Sequence, residues 1–183
     1  LESALQGRTE HPKQLAVEVG HYRYMDKMVT DFVRRTMAAY PDSIFVITGD
    51  HSIRMDPTAQ PTLFEHESVP FVLYGNGVTK DILPKDAVGG HTAIVPTLIE
   101  LIAPEGFSYT SIARSMTEGT KYAFNSDCWI SREAMGNVDD DRMELLPGIA
   151  SPQDDLAAER EAALYEVAAM RTLSRILIGD MGK

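Results

Sequence analysis

Apolar residues recur at helical spacing early in the chain and then give way to an uninterrupted run. Between about Pro12 and Ala39, Met25, Met28, Val29, Phe32 and Val33 fall three and four apart, which predicts an amphipathic helix with one buried stripe. Asp26, Lys27, Asp31, Arg34 and Arg35 largely fall off that stripe. Pro41 ends the helix and Asp42-Ser43 turns the chain. Ile44-Phe45-Val46-Ile47-Thr48-Gly49 follows, a β-branched and aromatic run suited to a strand buried on both faces of a parallel sheet. Residues 53–65 hold two prolines and no sustained period, so they read as a loop shaping the end of that strand. Val69–Tyr74 reads as a second strand; Pro70 sits near its start, where a missing donor is tolerated, and Gly75-Asn76-Gly77 closes it.

Gly89-Gly90 precedes His91, and the pattern predicts an apolar helix over about Ala93–Ile102. Pro96 is expected in its first turn and Pro104 just past its end. Lys121–Phe124 and Cys128–Ile130 look like short strands joined by a hairpin turn at Asn125-Ser126-Asp127. Residues 136–152 are acidic and loop-like. The last segment, about Gln153–Ile178, predicts an amphipathic helix packing through Leu164, Val167, Met170, Leu173 and Leu177. Asp154 and Asp155 mark its positive end and Gly179 its C-cap. Helix, turn and strand alternating in this way place the chain in the α/β class.

Length and composition add bounds rather than chemistry. The 183 residues fit one domain with a substantial core, and 44% hydrophobic with 24% charged residues is ordinary for a globular protein. A net charge of −10 argues against a nucleic-acid partner, which would require a basic face. The single cysteine, Cys128, has no internal partner for a disulfide and leaves the compartment open. No run reaches the roughly 18–20 apolar residues of a membrane span, and no signal peptide opens the chain. Leu1-Glu2-Ser3 stands where an initiator Met would, so a fragment or processed product is expected, with any membrane anchor in missing N-terminal segments.

The residues richest in chemistry are Asp50 and His51, which directly follow the first strand. Open α/β sheets place ligands beyond the carboxyl ends of their strands. A carboxylate beside an imidazole supplies two ligand types that suit Zn²⁺ or Mn²⁺. A turn-capping aspartate beside a solvated histidine is the plainer alternative. His91, after two glycines at a helix start, would hold an anion such as phosphate with the helix amides, or else be merely solvated. His66, in Phe64-Glu65-His66-Glu67, gives a weaker signal for substrate contact, and His11 and His21 read as surface or structural. Asp139-Asp140-Asp141 lacks the spacing and the glycine of a calcium loop and reads as a solvated face. Ser52 and Thr92 lack the strand–turn–helix elbow that activates a serine-type nucleophile.

Several of these stretches fall in an informative order. They are Tyr24-Met25-Asp26 with its helix, Ile47-Thr48-Gly49-Asp50-His51, Ser68–Tyr74, His91–Leu98, and Lys121–Phe124 through Trp129-Ile130-Ser131. Together they resemble the C-terminal part of a sulfatase-type catalytic domain of the alkaline phosphatase superfamily, closest to the lipoteichoic acid synthase and phosphoglycerol transferase branch. The resemblance covers roughly residues 20–135. It implies a partial alkaline-phosphatase-like sandwich, with a mostly parallel sheet flanked by helices, a small C-terminal strand pair and a long C-terminal helix. In that frame 12–105 is the α/β core, 106–135 the short strands and 153–179 the helix, all of residues 1–183 belonging to one catalytic domain.

By the same resemblance Asp50 and His51 are ligands of a catalytic divalent metal, Mn²⁺ or Zn²⁺ ahead of Ca²⁺ or Mg²⁺, and His91 matches a histidine expected to contact substrate; His66 reads as a further substrate-binding residue from its position before the second strand. The remaining ligands and the nucleophile would come from an upstream half, so no catalytic nucleophile is expected within these residues and the chain alone is expected to be inactive. Such an enzyme attacks phosphorus through a metal-activated hydroxyl, forming a covalent intermediate that an alcohol or water resolves. The implied substrates are small-molecule or lipid-linked phospho- or sulfo-esters, including cell-envelope glycans, at the extracytoplasmic face of the membrane or in the periplasm. A sulfatase or a phosphodiester or phosphonate hydrolase of the same fold is the enzymatic alternative, and a non-catalytic α/β binding module the contrasting one. Two departures limit the transfer: Ser52 stands where many relatives have glycine, and Ala93 where the family often has aspartate, so the binding role of the His91 segment does not carry over whole. Apolar sheet edges left uncovered also leave room for self-association.

Overall fold

The computed structural model describes residues 12–52, 61–150 and 155–180. Contacts divide the chain between Thr79 and Lys80 into two units. In the first, helix α1 spans Pro12–Ala39, matching the span expected from sequence. Strand β1 (Ile44–Thr48), the short helix α2 (Leu63–Glu67) and strand β2 (Phe71–Gly75) follow.

The two strands pair antiparallel, with Ile44 opposite Gly75 and Thr48 opposite Phe71. This corrects the expected parallel arrangement. A parallel neighbour needs a long crossover, usually a full helix lying on the sheet. The helix described in this connection has only five residues, and the chain returns beside β1 in the opposite sense. Asn76 locks the other end: its amide nitrogen donates to the Ser43 carbonyl at 3.1 Å and its side chain donates to Asp42 Oδ1 at 3.0 Å. Gly75 adopts φ +136°, and a Cβ there would strike the Ser43 carbonyl oxygen, so glycine is required.

Burial in this unit also departs from the expected pattern. Of the anticipated α1 stripe only Val33 is buried; Val29 is half-buried, while Met25, Met28 and Phe32 are exposed. No residue of β1 is fully buried, and β2 alternates, turning Val72 and Tyr74 to solvent. Phe32 still meets Phe45 edge-on, with ring centroids 6.3 Å apart, which pins α1 against β1.

In the second unit, helix α3 (His91–Ile102) begins two residues before the expected start, and Pro96 lies inside it. Thr97 is fully buried: its hydroxyl donates to the Ala93 carbonyl at 2.6 Å and accepts from the Met116 amide at 2.9 Å, clipping α3 to the 3₁₀ turn Met116–Glu118. Strands β3 (Ala123–Phe124), β4 (Cys128–Ile130), β5 (Ala134–Asn137) and β6 (Met143–Leu145) form an antiparallel meander in that order. Two strands were expected here and four are described; β6 and the end of β5 lie in the stretch 136–152 that reads as acidic loop. The Asn125 turn forms as expected: its side-chain oxygen accepts from the amides of Asp127 and Cys128 at 2.8 and 2.7 Å.

Helix α4 spans Leu156–Asp180 and packs on this meander. Trp129, Ala134 and Ala163 are fully buried at the centre, with Tyr122, Phe124, Met143, Leu156 and Leu164 around them. Asp155 caps α4 by accepting from the amides of Ala157 and Ala158, whereas Asp154 lies outside the described residues. Val167 belongs to the packing face, but Leu173 and Leu177 are exposed, and Gly179 lies within the helix rather than capping it. Among the described residues no helix is long and apolar enough to cross a membrane.

Candidate metal centre

Strand β1 carries the chain to Thr48, after which the backbone bends through Asp50 and His51. A Cβ at Gly49 would lie 3.2 Å from the His51 carbonyl oxygen and 3.5 Å from the Val69 side chain, so a residue without one suits this tight bend. The sequence expectation that the Asp-His pair stands just past the strand's carboxyl end is met in the structure.

The orientation of His51 follows from its neighbour. Nδ1 lies 2.6 Å from the Ser52 carbonyl oxygen. A carbonyl oxygen only accepts, so Nδ1 donates this hydrogen bond and Nε2 is the ring nitrogen left to meet other groups. That atom is 3.7 Å from Asp50 Oδ1. An imidazole nitrogen and a carboxylate oxygen, two metal-ligand types, thus stand close together without a hydrogen bond between them. Two donors each about 2.0–2.2 Å from a tetrahedral ion stand roughly 3.3–3.6 Å apart. The observed separation is close to that span, so the pair fits two positions of one divalent cation. The bond from Nδ1 to a carbonyl is the outer support that fixes metal-binding histidines.

Both groups are accessible, the Asp50 side chain 93% exposed and that of His51 51%. Among the described residues no third His, Cys, Asp or Glu joins them in a group that could hold an ion. An ion held here by two protein atoms would keep its other positions for further ligands, water or substrate.

His66 is held differently. Thr62 and Glu65 form a reciprocal capping box: the Thr62 hydroxyl accepts from the Glu65 amide at 3.2 Å and the Glu65 carboxylate accepts from the Thr62 amide at 3.0 Å. This box starts α2 inside the region read as loop, and its Thr-x-x-Glu signature was present in the sequence. One turn on, His66 Nδ1 lies 2.7 Å from Glu67 Oε1. Glu67 is thus a partner that the sequence reading did not assign; it fixes the ring and leaves Nε2 as the outward nitrogen. The structure does not gather His66 into a group with Asp50 and His51. His91 is the exposed first residue of α3, in the second unit. His21 is exposed on α1, and His11 lies outside the described residues.

The acidic Asp139–Asp141 segment forms the β5–β6 turn. Asp140 accepts from the Asn137 side chain and from the Arg142 amide, and those hydrogen bonds, the Asn137 one foremost, hold its carboxyl below the usual carboxylate range. Asp141 pairs with Arg160 at 3.0 Å. These contacts tie the turn to itself and to α4.

A family model described as Sulfatase matches residues 3–103, more than half of the chain. The chain belongs to the sulfatase family. The matched span of this sulfatase-family chain contains Asp50, His51, His66 and His91, whereas β3–β6 and α4 lie beyond it. Membership implies an alkaline-phosphatase-like fold, of which this structure shows a mixed α/β portion with antiparallel strands. Sulfatase-family enzymes commonly use a divalent metal, and the Asp50–His51 geometry suits one. No curated protein and no solved structure matches this sulfatase-family chain.

Proposed function

We propose that this chain supplies two metal ligands, Asp50 and His51, to an enzyme that transfers phosphoglycerol-type phospho-groups to cell-envelope glycans or lipid-linked acceptors on the extracytoplasmic side of the membrane. The observation that carries the metal role is the 3.7 Å convergence of Asp50 Oδ1 and His51 Nε2 beyond β1. Family membership supports ester chemistry at phosphorus or sulfur. The phosphoglycerol branch rests on the ordered likeness of the stretches around Tyr24, Asp50, Pro70, His91 and Trp129.

A bound Mn²⁺ or Zn²⁺ would act as a Lewis acid, stabilising the charge that develops on ester oxygens during displacement. The residues here prepare that role. Asp50 contributes negative charge, and the Ser52 carbonyl holds His51 in the tautomer whose Nε2 can ligate. His66, braced by Glu67, offers an imidazole for the substrate's ester or hydroxyl oxygens.

The test uses the natural polypeptide containing these residues, a fluorescent phosphatidylglycerol and Mn²⁺. Metal-dependent release of the diacylglycerol product is expected. Asp50→Asn and His51→Ala should each slow it by more than about 100-fold, beyond the usual loss on removing a ligand's outer partner. Hydrolysis of an aryl sulfate with no action on the phospholipid would favour the sulfatase alternative instead. Unchanged turnover in both variants would refute the metal role.

A further inference from the structure

The second unit contains a cavity of about 320 Å³ whose wall includes Gly90, Thr92 and Ala93 at the start of α3. Ile112 and Phe124 are among the apolar residues of its wall, and four charged side chains, Arg114, Lys121, Glu118 and Glu166, also line it. All four are exposed. None makes a side-chain ion pair or hydrogen bond among the described residues, although opposite charges share one cavity. Other charges in this unit do pair, as Arg132 with Asp86, Arg142 with Glu144 and Arg160 with Asp141. Opposite charges held around one depression without contacting each other can each meet one end of a dipolar ligand.

We propose that this cavity binds a small zwitterion with an apolar portion, its anionic end toward Arg114 and Lys121 and its cationic end toward Glu118 and Glu166. A purely anionic ligand would use the two bases but face two carboxylates. A purely cationic one would meet the reverse mismatch. Only a ligand of both signs satisfies all four groups while placing carbon against the apolar wall. The site is independent of Asp50 and His51 and would stand if the metal reading failed.

The full chain is titrated by calorimetry with 6-aminohexanoate and L-leucine, zwitterions of wide and narrow charge spacing, and with hexanoate and hexylamine as single-charge controls. At least one zwitterion is expected to bind at least tenfold more tightly than either control. Glu166→Gln and Arg114→Gln, both at exposed positions, should each weaken that zwitterion at least fivefold with unchanged melting temperature. Absence of binding by both zwitterions would overturn the proposal. So would hexanoate or hexylamine binding as tightly as the zwitterions, or affinities untouched by both substitutions.

Discussion

At the scale of single residues, His51 shows how a main-chain atom sets side-chain chemistry. The Ser52 carbonyl, not any acidic neighbour, accepts from Nδ1 and leaves Nε2 as the ring nitrogen 3.7 Å from Asp50 Oδ1. Sequence alone placed Asp50 and His51 just past a strand end because a β-branched run that stops at a turn is a local pattern. It missed Glu67, whose part depends on the one-turn helix that the Thr62–Glu65 box begins. Asp140 provides a separate residue-scale test. Its folded carboxyl lies below its ordinary value because Asn137 and Arg142 donate to the charged form. The stabilisation linked to it is therefore present above the unfolded value and is lost as pH falls through the lowered folded one. Carboxyl-carbon NMR titration should place Asp140 below 3.8, and Asn137→Ala should move it upward. A wild-type value at or above 3.8 would contradict that assignment.

At the scale of elements, local periodicity was legible and long-range pairing was not. The span of α1 and the Asn125 hairpin came out as expected because spacing and turn chemistry decide them, whereas the burial of α1's stripe did not. The direction of β1–β2 pairing depends on how the intervening chain returns, which no residue in either strand encodes. Strand β5 was hidden for another reason. Its Ala-Met-Gly-Asn sequence has little strand character, but Gly136 sits opposite Trp129, where the indole fills the space a side chain would take. A Cβ at Gly136 would come 2.8 Å from Trp129 Nε1 and 2.9 Å from the Arg142 carbonyl oxygen. Gly136→Ala should therefore destabilise the second unit by about 1–3 kcal/mol through overpacking. The sole tryptophan reports that unit directly, so a denaturation curve followed by its fluorescence reads the effect. An unshifted midpoint would contradict the packing described here.

At the scale of the whole molecule, each of the two units has its own surface character. In the first, Val17, Tyr22, Tyr24, Met25 and Phe32 expose more than half their surface on one helix, an unusual load of apolar area. Of these the sequence pattern expected Met25 and Phe32 to be buried, and the described residues do not cover them. Concentration-dependent association is the expected consequence, visible by sedimentation velocity and reduced by Met25→Glu with Phe32→Glu. A single monomeric species for the wild-type chain at every concentration would contradict it. Family membership shows an enzyme family that commonly uses a divalent metal, and the proposed Asp50–His51 site lies within the matched span.

Imidazole NMR of the five histidines during a Mn²⁺ titration tests that centre most directly, because paramagnetic broadening falls off steeply with distance. The His51 ring signals should broaden first, at substoichiometric metal, and Asp50→Ala should abolish that priority. Broadening that leaves His51 untouched while other histidines respond would show that the carboxylate and imidazole beyond β1 do not share an ion.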